Sequence, residues 1–269
     1  MDEASSTLSR ARGRVTSGDG TRIAYERQGE GPPLIVVSGA LCTAGGERPL
    51  ADLLAPHFSV VTYDRRGRGG SGDTGPYAVE REIDDLAALI EEAGGDAYVH
   101  GMSSGGALAL AAVAAGLPVE RLSVYEPPYS ADSGARETYA AHRRRLTGLL
   151  DRGQRAAALE LFLADAMAPE ALAGMRRSAA WPGLEAVAHT LAYDHAVLGD
   201  GLVPYGRLGG VHARVLVVDG GASPAWMRRA ALAVSTALPR GRHRTLTGQT
   251  HVVAPHVLAP ALEEFFTEE

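Results

Sequence analysis

Apolar residues fall into two rhythms along this chain. Short unbroken runs, "PLIVVSG" (33–39), "SVVTYD" (59–64), "RLSVYE" (121–126) and "RVLVVDGG" (214–221), have the length of strands and stop at glycine or a charge. Runs that are apolar at nearly every position predict strands covered on both faces. "HRTLTG" (243–248) predicts a last strand, and "RVTS" and "TRIAYERQ" flank "GDG" as a hairpin. Elsewhere the apolar residues recur at helical spacing. "GERPLADLLAPHF" (46–58), "AVEREIDDLAALIEEAG" (78–94), "PAWMRRAALAVSTAL" (224–238) and "VLAPALEEFF" (257–266) predict helices, the second with acids in its early turns. "AYVHGMSSGGALALAAVAAG" reads as strand, tight turn and helix. Alternating strands and helices predict a mostly parallel sheet with helices on both faces, an α/β fold.

The alternation breaks between the strands at 121–126 and 214–219. This stretch holds no good strand and predicts helices over 133–151, 153–166, 168–177 and 182–198. An insertion of this length over a sheet edge is expected to act as a helical cap. The expected division is a polar, mobile tail over 1–12, a core over 13–128 and 212–269, and a cap over 129–211. No internal repeat or low-complexity tract interrupts it.

Composition narrows the function classes. The 269 residues are 45% hydrophobic and 22% charged, with a net charge of −6, as expected of a globular enzyme. Nucleic acid is not an expected partner, since no basic stripe is present; "HRRRL" (142–146) reads as a solvated helix face. The single cysteine, Cys42, excludes an intrachain disulfide. "MDEASSTLSRARGR" has no apolar h-region and no run is long enough to span a bilayer, so a cytoplasmic location and no membrane partner are expected. The chain contains no lysine, which removes Schiff-base chemistry, a pyridoxal anchor and the P-loop lysine. The histidines lack paired ligand spacing, so no metal and no cofactor is expected.

The strongest chemical signal is "HGMSSGG" (100–106). Gly101-Met102-Ser103-Ser104-Gly105 matches G-x-S-x-G between a strand and an Ala-rich helix, the context of a nucleophile elbow. Such a turn lifts the Ser103 oxygen above the sheet, beside a helix N-terminus that favours developing negative charge. A serine needs a base within hydrogen-bond reach. His251 follows the last predicted strand and is the candidate base; His256, five residues on, falls in or near the closing helix.

These segments together resemble the α/β-hydrolase family over nearly the whole chain. "VVSGALC" (36–42) resembles its oxyanion loop, "YDRRGRGGSGD" (63–73) its D-x-R-G-x-G-x-S loop, and "GQTHVVAP" (248–255) its histidine segment. The resemblance implies a Ser…acid…His order and an oxyanion hole from the backbone N–H groups of Ser104 and Ala40. Ser38 replaces the family's usual histidine, which leaves backbone donors intact. Cys42, close by, reads as a small buried apolar residue.

The acid departs from the pattern. The place that many family members use, in "GGASP" (220–224), holds Ser223. Two carboxylates can substitute: Glu126, which ends "SVYE", and Asp219, on the strand before Ser223. Glu126 is the favoured acid and Asp219 the alternative. The match of Gly67–Gly72 to the dinucleotide fingerprint G-x-G-x-x-G lacks a helix at its glycines, and reads instead as a structural turn on the oxyanion side. His189 and Tyr193 share a helix face and read as packing between helices.

The expected function is hydrolysis of a small or medium ester, thioester or lactone through an acyl-enzyme. Three alternatives stay open: a biosynthetic cyclisation or acyl transfer, a cofactor-free C–C hydrolase or perhydrolase, and an inactive ligand-binding protein. Ser103, where dehalogenases and epoxide hydrolases carry a carboxylate, argues against those two chemistries. Substrate and oligomeric state are not written in the sequence.

Overall fold

The computed structural model describes residues 10–268. Eight strands form one sheet: β1 (Arg10–Thr16), β2 (Arg22–Gln28), β3 (Pro33–Val37), β4 (Ser59–Tyr63), β5 (Tyr98–Met102), β6 (Arg121–Tyr125), β7 (Arg214–Gly220) and β8 (Gly241–Leu246). Their spatial order is β1-β2-β4-β3-β5-β6-β7-β8. β1 pairs antiparallel with β2, and β2 with β4; all other pairs are parallel. Residues 10–12, expected in a mobile tail, instead open β1 opposite residues 26–28. The remainder of that expected tail lies outside the described residues.

The apolar runs became central strands because both sheet faces are covered. α1 (Arg48–Leu54) and, at the chain end, α11 (Pro255–Thr267) cover one face; α2 (Val79–Ala93), α3 (Ser104–Ala114) and α10 (Ala225–Ala237) cover the other. Residues 34–37 of β3 are fully buried, with alternate side chains in the two cores. The edge strands β1 and β8 are rich in exposed arginine instead, which discourages edge pairing. α3 is apolar all round and made mostly of small residues; it is buried between the sheet and its neighbouring helices.

Between β6 and β7 run α4 (Ala135–Asp151), α5 (Arg155–Ala164), α6 (Pro169–Arg176), α7 (Trp181–Val187), α8 (Leu191–Leu198) and the short α9 (Tyr205–Leu208). The single helix expected over 182–198 is broken by a 3-10 turn at Ala188–Thr190. α9 was not expected. Leu146, Ala158, Leu159, Trp181, Ala188 and Leu191 form a separate apolar cluster, against which Ala40 and Leu41 pack. Arg143, Arg144 and Arg145 are exposed on α4, as its sequence pattern suggests. No helix among the described residues is long and apolar enough to cross a membrane.

Candidate active site

Among the described residues, three other than glycine have positive φ, and all lie at one edge of the sheet: Leu41 (63°), Ser103 (53°) and Glu126 (43°). Such backbone costs on the order of 1–3 kcal/mol per residue and persists only where surrounding structure enforces it. At Ser103 the enforcement is visible. Its N–H donates to the Tyr125 carbonyl at 2.8 Å, and its own carbonyl accepts from Gly106 N–H at 2.9 Å as α3 begins. Gly101 and Gly105 permit the turn: a Cβ at Gly101 would come within 2.6 Å of Gly106 Cα, and one at Gly105 would overlap the Val37 carbonyl. The strand therefore delivers Ser103 directly to a helix N-terminus.

The structure brings Ser103, His251 and Glu126 into one chain of contacts. His251 Nε2 lies 3.1 Å from Ser103 Oγ, and His251 Nδ1 lies 2.8 Å from Glu126 Oε2. The histidine loop is anchored from below: Tyr125 Oη donates to the Thr250 carbonyl at 2.6 Å, and Ala222 N–H donates to the Gln249 carbonyl at 2.8 Å. His256 is exposed on α11, away from these contacts.

Glu126 lies one residue past β6, fully buried, with Gly220 N–H donating to its Oε1 at 2.8 Å. Burial alone would raise its carboxyl pKa. The His251 ring, with the Ser223 hydroxyl nearby and the Gly220 N–H, outweighs that cost and holds the carboxyl below the ordinary range. Asp219 is equally buried but belongs to β7, on the face shared by Val215 and Val217. Its Oδ2 meets His243 Nε2 at 3.0 Å, whereas the Nδ1 of His251 faces Glu126.

Gly39 packs against Ser103: a Cβ there would lie 3.2 Å from Ser103 Cβ. This places the Gly39–Ala40 peptide beside the serine. Ser104 is the first residue of α3, so its N–H has no acceptor within the helix. Cys42 is exposed rather than buried as expected.

Behind this loop lies a feature that the sequence reading missed. Arg65, Arg66 and Arg68 are all fully buried. Arg66 is tied to Asp85 of α2 and to Asp19. Arg65 is held bidentately by Glu82, with both contacts at 2.8 Å, and also donates to Asp194 of α8 at 2.8 Å. Arg68 donates to both oxygens of Asp194 at 2.9 Å. Burying guanidinium groups is tolerable only with such complete pairing. The available signal was three arginines packed among glycines, with Glu82 and Asp85 three apart on α2; nothing local points to Asp194. The glycine stretch 67–72 is a closed turn, with Gly67 N–H donating to the Gly72 carbonyl at 2.9 Å, and the next helix starts only at Val79. His189 and Tyr193 both contact Asp73, at 3.2 and 3.0 Å, and Tyr193 stacks on Tyr77, so they pack the insertion onto this loop.

Comparison with known proteins agrees with this architecture. A family model described as "Alpha/beta hydrolase family" matches residues 34–262. The chain belongs to the alpha/beta hydrolase family. A crystal structure of an alpha/beta hydrolase from Sphaerobacter thermophilus is 52% identical, with a TM-score of 0.86, over 95% of this chain and 100% of that one. A putative carbamate hydrolase, RutD, from Azorhizobium caulinodans is 34% identical over 125 residues, which is 45% of this chain and 47% of that protein. A non-heme haloperoxidase from Rhodococcus erythropolis is 34% identical over 95 residues, 34% of this chain and 35% of that protein. The aligned stretch thus spans less than half the length of these curated relatives.

Proposed function

We propose that this protein is a serine hydrolase acting on a small or medium ester, thioester or lactone. The observation that carries the reading is the hydrogen-bonded series Ser103 Oγ, His251 Nε2, His251 Nδ1, Glu126 Oε2, with spacings of 3.1 and 2.8 Å. Ser103 Oγ attacks the carbonyl carbon while its proton passes to His251 Nε2. The carbonyl oxygen becomes an oxyanion, received by the N–H groups of Ala40 and Ser104. Collapse expels the alcohol, thiol or ring oxygen, which takes the proton from His251, and leaves an acyl-Ser103. Water, deprotonated by His251, then releases the acid. Glu126 keeps the Nδ1 proton in place and stabilises the imidazolium without accepting the proton. Residues 129–211 form a cap that bounds the acyl pocket, a role supported by the packing of Ala40 and Leu41 on its apolar cluster.

The test is labelling with a fluorophosphonate followed by hydrolysis of an activated aryl ester. The expected result is a single adduct at Ser103 and turnover lost in Ser103→Ala. An unlabelled, inert wild-type protein would instead make the chain a binding protein. The haloperoxidase likeness favours a second reaction of the same acyl-enzyme, in which hydrogen peroxide replaces water and a peracid leaves. Peracid formation from a short-chain ester and peroxide checks it.

A further inference from the structure

We infer that Arg68 is a positioning residue of the oxyanion hole: clamped by Asp194 of the helical insertion, it sets the Gly39–Ala40 peptide so that the Ala40 N–H faces Ser103. The inference rests on the serine-hydrolase reading above.

In a trans peptide the carbonyl and the following N–H point in opposite directions. Holding the Gly39 oxygen therefore aims the Ala40 N–H. Arg68 Nη1 donates to that oxygen at 2.6 Å; Cys42 N–H reaches the same oxygen at a longer 3.4 Å. The guanidinium is itself fixed on every side. Nη2 is bound bidentately by Asp194, Nε donates to Thr190 Oγ1 at 3.1 Å, and Nη1 also reaches the Cys42 carbonyl at 3.5 Å. A planar fork with all its donors engaged cannot rotate away, which a lysine ammonium could. A charge-assisted bond to the peptide oxygen also polarises the peptide, strengthening its N–H as a donor.

Asp194 reaches the second donor as well. Its Oδ1 accepts from Ser104 Oγ at 2.8 Å and from Arg65 Nη1 at 2.8 Å, and Arg65 Nη1 lies 3.4 Å from the Ser38 carbonyl. One carboxylate from α8 thus braces both residues that supply the oxyanion N–H groups. Donors fixed before reaction need no reorganisation as charge develops, which is the source of their catalytic value.

The experiment compares wild type, Arg68→Met, Arg68→Lys and the double variant Arg68→Met/Asp194→Leu. Each is assayed with an aryl ester, with a trifluoromethyl ketone that forms an oxyanion adduct on serine, and with the matching non-hydrolysed amide. Removing one oxyanion donor outright costs about 10²–10³-fold in kcat, so disorienting one is expected to cost about 10- to 100-fold. KM and the amide's Ki stay within about threefold of wild type, while trifluoromethyl-ketone affinity falls in step with kcat; Arg68→Lys falls between. The double variant removes Arg68 with its carboxylate while Arg65 keeps its two bonds to Glu82. Arg68→Lys, which leaves Asp194 both of its cations, decides the matter if neither Met variant folds, wild-type kcat in it then overturning the inference. Wild-type kcat in a folded Arg68→Met or double variant overturns the inference, as does lost kcat with unchanged trifluoromethyl-ketone affinity. A wild-type enzyme that does not label at Ser103 overturns the serine-hydrolase reading itself, and this inference with it.

Discussion

Glu126 and Asp219 are two carboxylates at the ends of neighbouring parallel strands, both about 1% exposed, yet they meet different histidines. The difference is one of position relative to the strand. Asp219 is inside β7, where the pleat commits alternate side chains to opposite faces, and it follows Val215 and Val217 toward the α10 side. There it meets His243 on the neighbouring strand. Glu126 comes one residue after β6 ends. Its positive φ turns the chain before Pro127, and the side chain reaches over the strand ends to His251. A carboxylate released from the pleat can serve a loop; one held in the pleat serves the sheet.

The largest effect that can break this comparison is catalytic. Glu126→Gln is expected to lower kcat on an aryl ester by about 10⁴-fold, and Asp219→Asn to leave it within about threefold. The reverse pattern would hand the acid role to Asp219.

Acid titration separates the two strand ends from their background. His100, on β5 just before the serine turn, is fully buried, neither ring nitrogen has a partner among the described residues, and burial pulls its pKa down to about 4. His195 on α8 is likewise lowered to about 4, by burial and by the neighbouring His142. Unfolded histidines bind protons below about pH 6.5 while these folded ones do not. Their neutral forms thus contribute stability that is fully present above pH 6.5 and lost as pH falls toward 4. Each is expected to account for up to about 3 kcal/mol. Glu126 adds a later loss, below the ordinary carboxylate range, as its lowered pKa is crossed. Urea titrations from pH 7 to 3 should show the first slope flatten in His100→Leu and the second in Glu126→Gln.

Relocating the acid is a smaller test. Ser223 lies near the Glu126 carboxylate, so Ser223→Asp placed in Glu126→Gln is expected to recover about 10- to 100-fold of the lost kcat. Smallest is the structural cost of the other carboxylate. Asp219→Asn weakens the bond to His243 and should lower unfolding free energy by about 1 kcal/mol in urea denaturation.

Much of this was legible without coordinates. The buried strands announced themselves because a two-sided core demands apolar residues at every position. The elbow was legible because only glycines at 101 and 105 let strand and helix pass so closely. The hairpin's true start was not, since an arginine-rich edge strand has no apolar signature and looks like a tail.

The sequence by itself determined the order of strands and helices, the strained serine turn and the two candidate acids, because these depend on residues adjacent in the chain. Only tertiary structure decided which acid faces His251, since that turns on where β6 stops and how its last φ swings the chain. Tertiary structure alone also brought Asp194 to Arg65 and Arg68, which lie 129 and 126 residues away along the chain. A buried ion pair leaves no periodic trace: each partner, read alone, is an ordinary surface charge, and only packing removes the water that would have made it one.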